Sequence, residues 1–291
     1  MTKKLIIKQM KLIILQLSVF LLIASCSQQK KQAETVTEPN YSSKSFSEKL
    51  IGIAQSSVGF ANTMVESGIE FTDEIVNNPY EYRDYKADLN ISAANIAIYA
   101  ADAQYLKAYG FQEKANLSSK SAKKLLKLIK GYKLDTSLSK IQKGYKTADS
   151  AFFVLNNALK DSVNKLTEIE RKQYLFSLML GSFIEKNYLI LNALNNNFNY
   201  NEPKVQKVLR LLKNLNDQLQ NILMLRNKFI NTDYKNYMRN DLIKYNAYYT
   251  ENSNTLIQGH NQQAVKTLIN NLLTQISEMR NYIIYADILV Q

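Results

Sequence analysis

Residues 203–222, PKVQKVLRLLKNLNDQLQNI, set Val205, Val208, Leu212, Leu215, Leu219 and Ile222 at alternating spacings of three and four. That is the period of one face of an α-helix, and so narrow and regular a seam is buried by packing nearly antiparallel to neighbouring helices. Pro203 suits the first helical position, where its missing N–H leaves no bond unmade. On the C-terminal side, Val265, Leu268, Leu272, Ile276, Met279 and Ile283 repeat the pattern within a helix expected over 262–290. On the N-terminal side, Thr167-Glu168-Ile169-Glu170 is a capping box, in which Thr167 and Glu170 each satisfy the other's orphan backbone donor. It opens a helix expected to run to residue 194.

The rest of the chain follows the same period. Helices are expected over 85–108 and 111–130, ended by Gly110 and Gly131 as left-handed caps. Residues 137–166 read as helical with a break near Gly144, 234–249 as a Tyr-rich, partly polar helix, and 46–76 as one or two helices closed by Asn77-Asn78-Pro79. No strand pattern and no fixed-period repeat is found. The expected fold is all-α, an up-and-down helical bundle or layered helical array of seven to eight helices. The Asn-rich loop 195–202, NNNFNYNE, would divide the helical domain 44–291 if it forms two units.

Composition narrows the chemistry. The chain has 291 residues, 37 Lys and Arg against 25 Asp and Glu, a net charge of +12, one Cys, one His and eight Gly. One Cys and one His leave no internal disulfide and no His- or Cys-built metal site, so no metal ligand set and no cofactor is assigned. Few Gly argue against phosphate-cradling loops. His260 reads as a loop residue, and no Gly-x-Ser-x-Gly elbow accompanies it.

The N-terminus carries an address. Lys3, Lys4, Lys8 and Lys11 precede the apolar run LIILQLSVFLLIA at 12–24, a charged segment followed by an apolar core too short to span a bilayer comfortably. It ends in Leu22-Ile23-Ala24-Ser25-Cys26, which resembles the lipobox of bacterial lipoproteins. The resemblance implies cleavage before Cys26, with Cys26 as the lipid attachment residue; a plain secretory signal or a core helix is the alternative. More than one acyl chain makes such an anchor stable, at about 0.8 kcal/mol per buried methylene. Residues 1–25 are then the signal peptide, and 26–43 the lipidated Cys and a polar tether reaching roughly 20–25 Å on average. Ser27 and Gln28 follow in place of the Asp that retains many lipoproteins in the inner membrane, and SQQKK is not an acidic surface-display run. The expected location is the periplasmic face of the outer membrane. Cleavage leaves 33 Lys and Arg against 25 acids, a net +8.

Two constellations stand out. Asp102, in YAADAQY, and Glu185, in LMLGSFIEKNYL, project from apolar helix faces, where a carboxylate needs a partner. With Tyr99, Tyr105 and Tyr188 they would either line one polar cavity for a cation or small polar ligand, or each be a satisfied structural carboxylate. Both patches resemble short motifs of a family of all-helical exported lipoproteins of Bacteroidetes-type bacteria, approximately Tyr-x-x-Asp-Leu-x-Tyr and Gly-Gly-Trp-x-Glu. The resemblance spans roughly residues 60–195 and marks Tyr99, Asp102, Tyr105, Gly181 and Glu185, with Ala103, Ser182 and Phe183 as departures. It implies an exported helical fold and carries no established activity.

Second, residues 111–150 hold ten Lys and three acids. Lys120, Lys123, Lys124, Lys127 and Lys130 share a helix face, read either as a solvated outer surface or as a patch for anionic headgroups or an acidic partner. Tyr234, Tyr237, Tyr245, Tyr248 and Tyr249 could form a contact surface for carbohydrate or protein. The functional expectation is a lipid-anchored periplasmic binding or scaffolding component, partnered by the membrane and an envelope protein, with no role for nucleic acid. A ligand- or cation-binding module built on Asp102 and Glu185 is the alternative, and an enzyme ranks third.

Overall fold

In the computed structural model, residues 59–79, 89–128, 168–196, 199, 202–220, 222–223, 237–258 and 261–285 are described, all within one unit spanning 43–291. Among them are seven α-helices, one 3-10 turn and no strand, an all-α fold. The helices are α1 (Phe60–Glu66), α2 (Leu89–Ala108), α3 (Gln112–Leu128), α4 (Glu168–Asn196), α5 (Pro203–Asp217), α6 (Tyr237–Gln258) and α7 (Gln262–Ile284). The signal segment, Cys26, the tether, Gly131, the segment 137–166, Thr167 and His260 lie outside the described residues.

Four helices close a ring: α4 packs on α5, α5 on α6, α6 on α7, and α7 back on α4. The α5 seam is buried, with Val205, Val208 and Leu212 fully so, and Leu219 and Ile222 beyond its end are buried as well. All six residues of the α7 stripe are buried as well. Apolar residues of all seven helices join one core. Helix α2 packs on α4 and α3 packs on α2, and α1 bridges α2 and α5.

The α2–α4 contact depends on small residues. A Cβ built on Gly181 would stand 2.2 Å from the carbonyl oxygen of Ala94, so only glycine permits this approach. Ala93, Ala94, Ala97 and Ala101 keep the facing surface of α2 low.

Helix ends follow the expected chemistry at several points. Gly110 takes φ +85°; its N–H reaches Lys107 O, and the Phe111 N–H reaches Leu106 O, the paired bonds of a Schellman cap. Asn261 caps α7 by accepting from the backbone N–H of Gln263 and Ala264. Pro203 occupies the first turn of α5.

Two expectations need correction. Helix over 46–76 holds only for α1 within the described part. Gly68, at φ +68°, ends it with a second Schellman cap, so Asn77-Asn78-Pro79 does not terminate a helix. Residues 67–79 instead form an irregular strap with a 3-10 turn at Asp73–Ile75. The helix expected over 234–249 continues to Gln258. Leu242, Tyr245, Tyr249 and Leu256 share its buried face, and this packing overrides the weak helical preference of TENSN. Tyr245 and Tyr249 are therefore core residues, not members of a contact surface.

Candidate functional site

Asp102 on α2 and Glu185 on α4 are both fully buried. The small-residue crossing at Gly181 and Ala94 brings these two helices close, and the carboxyls meet within hydrogen-bond reach of each other. Glu185 is held by Arg280 of α7, whose Nε donates to Oε2 at 2.6 Å and whose second nitrogen donates to Oε1 at 3.0 Å. Such a two-point contact is the strongest form of ion pair. The same guanidinium donates to Ile75 O in the strap at 3.3 Å and lies 4.1 Å from the centre of the Tyr188 ring. Burial works against the charge of Arg280, but Glu185 more than offsets it and raises its proton affinity above the ordinary arginine value.

Asp102 faces the strap. Its Oδ2 accepts from the backbone N–H and the side-chain amide of Asn77, at 3.3 and 3.1 Å. No N–H or O–H donor among the described residues reaches Oδ1. Burial raises the Asp102 pKa well above the usual carboxylate range, the charge of Glu185 raises it further, and Arg280 pulls the other way. The chemistry agrees: two neighbouring carboxyls repel when both are charged, and with Glu185 committed to Arg280 the raised proton affinity falls on Asp102.

The expected set is thus divided. Asp102, Glu185 and Tyr188 come together around Arg280. Tyr99 is buried in the core one turn before Asp102. Tyr105 belongs elsewhere: its ring stacks on Phe71 with centres 5.5 Å apart, and its hydroxyl accepts from the Thr72 N–H at 3.1 Å. Tyr109 and Phe111 extend that aromatic cluster.

Arg280 and Asn77 were not anticipated. A signal for Arg280 existed, since it falls four residues after Ile276 and three before Ile283, on the apolar stripe of α7. The test that singled out Asp102 and Glu185 applies to it equally. For Asn77 there was none, because its role depends on where the strap lies.

Lys186, beside Glu185, is a further buried charge-bearing group; its Nζ lies 5.6 Å from the Phe60 ring centre, and burial lowers its pKa to about 7. Of the basic face, Lys120 and Lys124 are exposed while Lys123 is half-buried, its pKa lowered by burial. The Lys127 side chain and Lys130 lie outside the described residues. Asn187, Asn216 and Tyr245 form a separate polar knot between α4, α5 and α6: the Asn216 amide and the Tyr245 hydroxyl both donate to Asn187 Oδ1, at 2.8 and 3.3 Å.

Among the described residues, no group of three or more His, Cys, Asp or Glu is arranged to hold a metal ion, and no helix is long and apolar enough to cross a membrane. No protein-family model, curated protein or solved structure matches the chain.

Proposed function

We propose that the chain is a lipid-anchored helical protein of the bacterial envelope, a non-enzymatic binding or scaffolding component held through Cys26 at the periplasmic face of the outer membrane. The observation that carries the non-enzymatic part is the commitment of both buried carboxylates inside the fold. Glu185 commits both oxygens to Arg280, and Asp102, next to Glu185, commits Oδ2 to Asn77. A general acid or base must reach a substrate proton, and a ligand site must present open polar groups. With the strap in place this pair does neither.

The anchor rests on the sequence: a basic segment, an apolar run and Leu-Ile-Ala-Ser-Cys in immediate succession. The resemblance around Asp102 and Glu185 to exported helical lipoproteins points to the same compartment. Partner binding then falls to the outer surface of the bundle, and an envelope protein is the expected partner. Crosslinking in intact cells, followed by purification of the full chain, tests this. One discrete envelope protein is expected at near-stoichiometric yield, lost when Cys26→Ser removes the anchor. Recovery of the chain free of any envelope protein contradicts the reading, as does a melting shift with a small ligand that Asp102→Asn abolishes while the fold stays intact.

A further inference from the structure

Residues 69–79 of the strap have little backbone bonding of their own and are fastened by side chains of α2, α3 and α7. Tyr109 Oη donates to Ile69 O at 2.9 Å, and Ser121 Oγ donates to Pro79 O at 2.9 Å. Thr72 N–H donates to Tyr105, and Lys114 pairs with Asp73. Between these points the strap lies over the charged cluster, tied by Arg280 at Ile75 and by Asp102 at Asn77.

The two halves are held differently. Phe71 is clamped by three aromatic rings, with the Phe111 centre 4.1 Å away. The half from Ile75 to Asn77 is held by the cluster together with the buried Ile75 side chain, the Val76 side chain packed against the core and the Val76 N–H bonded to Asp73 O.

We propose that residues 75–77 form a lid over the Asp102–Glu185–Arg280 cluster, latched by the single proton shared between the two carboxyls. With the proton present, one carboxylate faces one guanidinium, the cluster is neutral, and Asp102 accepts both Asn77 donors. With the proton lost, two touching carboxylates compete for one guanidinium in a site closed to water. Arg280 is drawn towards Asp102 and away from Ile75 O, and the buried excess charge is relieved by admitting water, which requires the lid to lift. The groups facing Asp102 are Glu185 from α4, Arg280 from α7 and Asn77 from the strap, with Tyr188 of α4 behind Arg280. Opening would bare a guanidinium and two carboxylates, a surface closed to ligands while the lid is down.

The sign follows from linkage. A carboxyl whose proton is held more tightly in the closed state stabilises closure fully below its ordinary pKa, and this contribution is lost as pH rises towards the raised value. Lys186 carries the opposite sign, since burial lowers its pKa and favours the folded state as pH rises. The variant Lys186→Met removes that contribution.

Residue-resolved amide exchange on the full chain, followed upward from pH 5 for as long as the fold stays intact and corrected for intrinsic rates, tests the latch. The expected result is a fall in protection at Val76 and Asn77, by up to about tenfold per pH unit while the proton is being lost, with Ile69 and Thr72 unaffected. Asp102→Asn, whose amide can donate to Glu185 in place of the proton, should keep the lid closed at every pH. In Glu185→Gln, Asp102 becomes the counter-ion of Arg280, and the fall should vanish. Wild-type protection at Val76 and Asn77 that is flat across this range overturns the latch, as does a fall that persists unchanged in Asp102→Asn. Neither result bears on the lipid anchor, so the two proposals fail separately.

Discussion

The α4–α7 ring and the strap over α2 are two solutions to one problem, closing backbone polar groups away from water. The ring solves it locally. Each helix bonds its own backbone, and apolar seams such as Val205–Leu215 on α5 supply the contact. The strap solves it at long range, borrowing a guanidinium 205 residues away for Ile75 O and a carboxyl 25 residues away for Asn77. Apolar seams tolerate substitution by degrees, whereas the strap hangs on a few side chains that fail individually.

That difference orders the expected losses. Arg280→Met leaves Glu185 buried without its counter-ion and Ile75 O without its donor; unfolding titrations should show a loss of about 3–5 kcal/mol. Replacing both members of the pair, as Arg280→Met with Glu185→Leu, should recover most of it, because an apolar pair of similar volume removes the buried charge. If the double variant is no more stable than the single one, the pair is not the independent unit drawn above. Leu212→Ala in the α5 seam should cost about 2–4 kcal/mol by the same measurement, without a pH-dependent change in strap exchange. A strap that loosens selectively in this variant would mean that the two regions are one cooperative unit. Gly110→Ala, which forces a side chain into the left-handed cap between α2 and α3, should cost about 1–2 kcal/mol. A neutral result would show that the α2–α3 turn relaxes out of its Schellman geometry.

The same difference explains what could be read in advance. The seams of α5 and α7 were legible because helical period and burial are local properties, and every residue placed on them is buried. Gly110 and Pro203 were legible because only their backbone chemistry suits those positions. Gly68 carries the same signal as Gly110, yet the apolar residues after it suggested continued helix and hid the strap. The carboxylates Asp102 and Glu185 stood out against apolar stripes. Their meaning did not, because it depends on Arg280 and Asn77 arriving from opposite ends of the chain. Tyr245 and Tyr249, read as a contact surface because Tyr joins an apolar body to a polar tip, instead share the buried face of α6 with Leu242 and Leu256.

Lys186 lies between the two regimes. It is buried with the apolar residues, against Phe60, yet carries a titratable group whose pKa burial brings to about 7. Its position shows that α4 accommodates charge on more than one side. The pairing of Glu185 with Arg280, and of Asp102 with Asn77, is thus part of how α2 and α4 are held.

The anchor admits a direct measurement: mass spectrometry of the N-terminal proteolytic fragment of the protein extracted from membranes of the bacterium that makes it. The expected fragment begins at Cys26 and carries diacylglycerol in thioether linkage with a further acyl chain on the new amino terminus. A fragment that begins at any other residue, or one in which Cys26 carries a free thiol, contradicts a lipid-anchored protein.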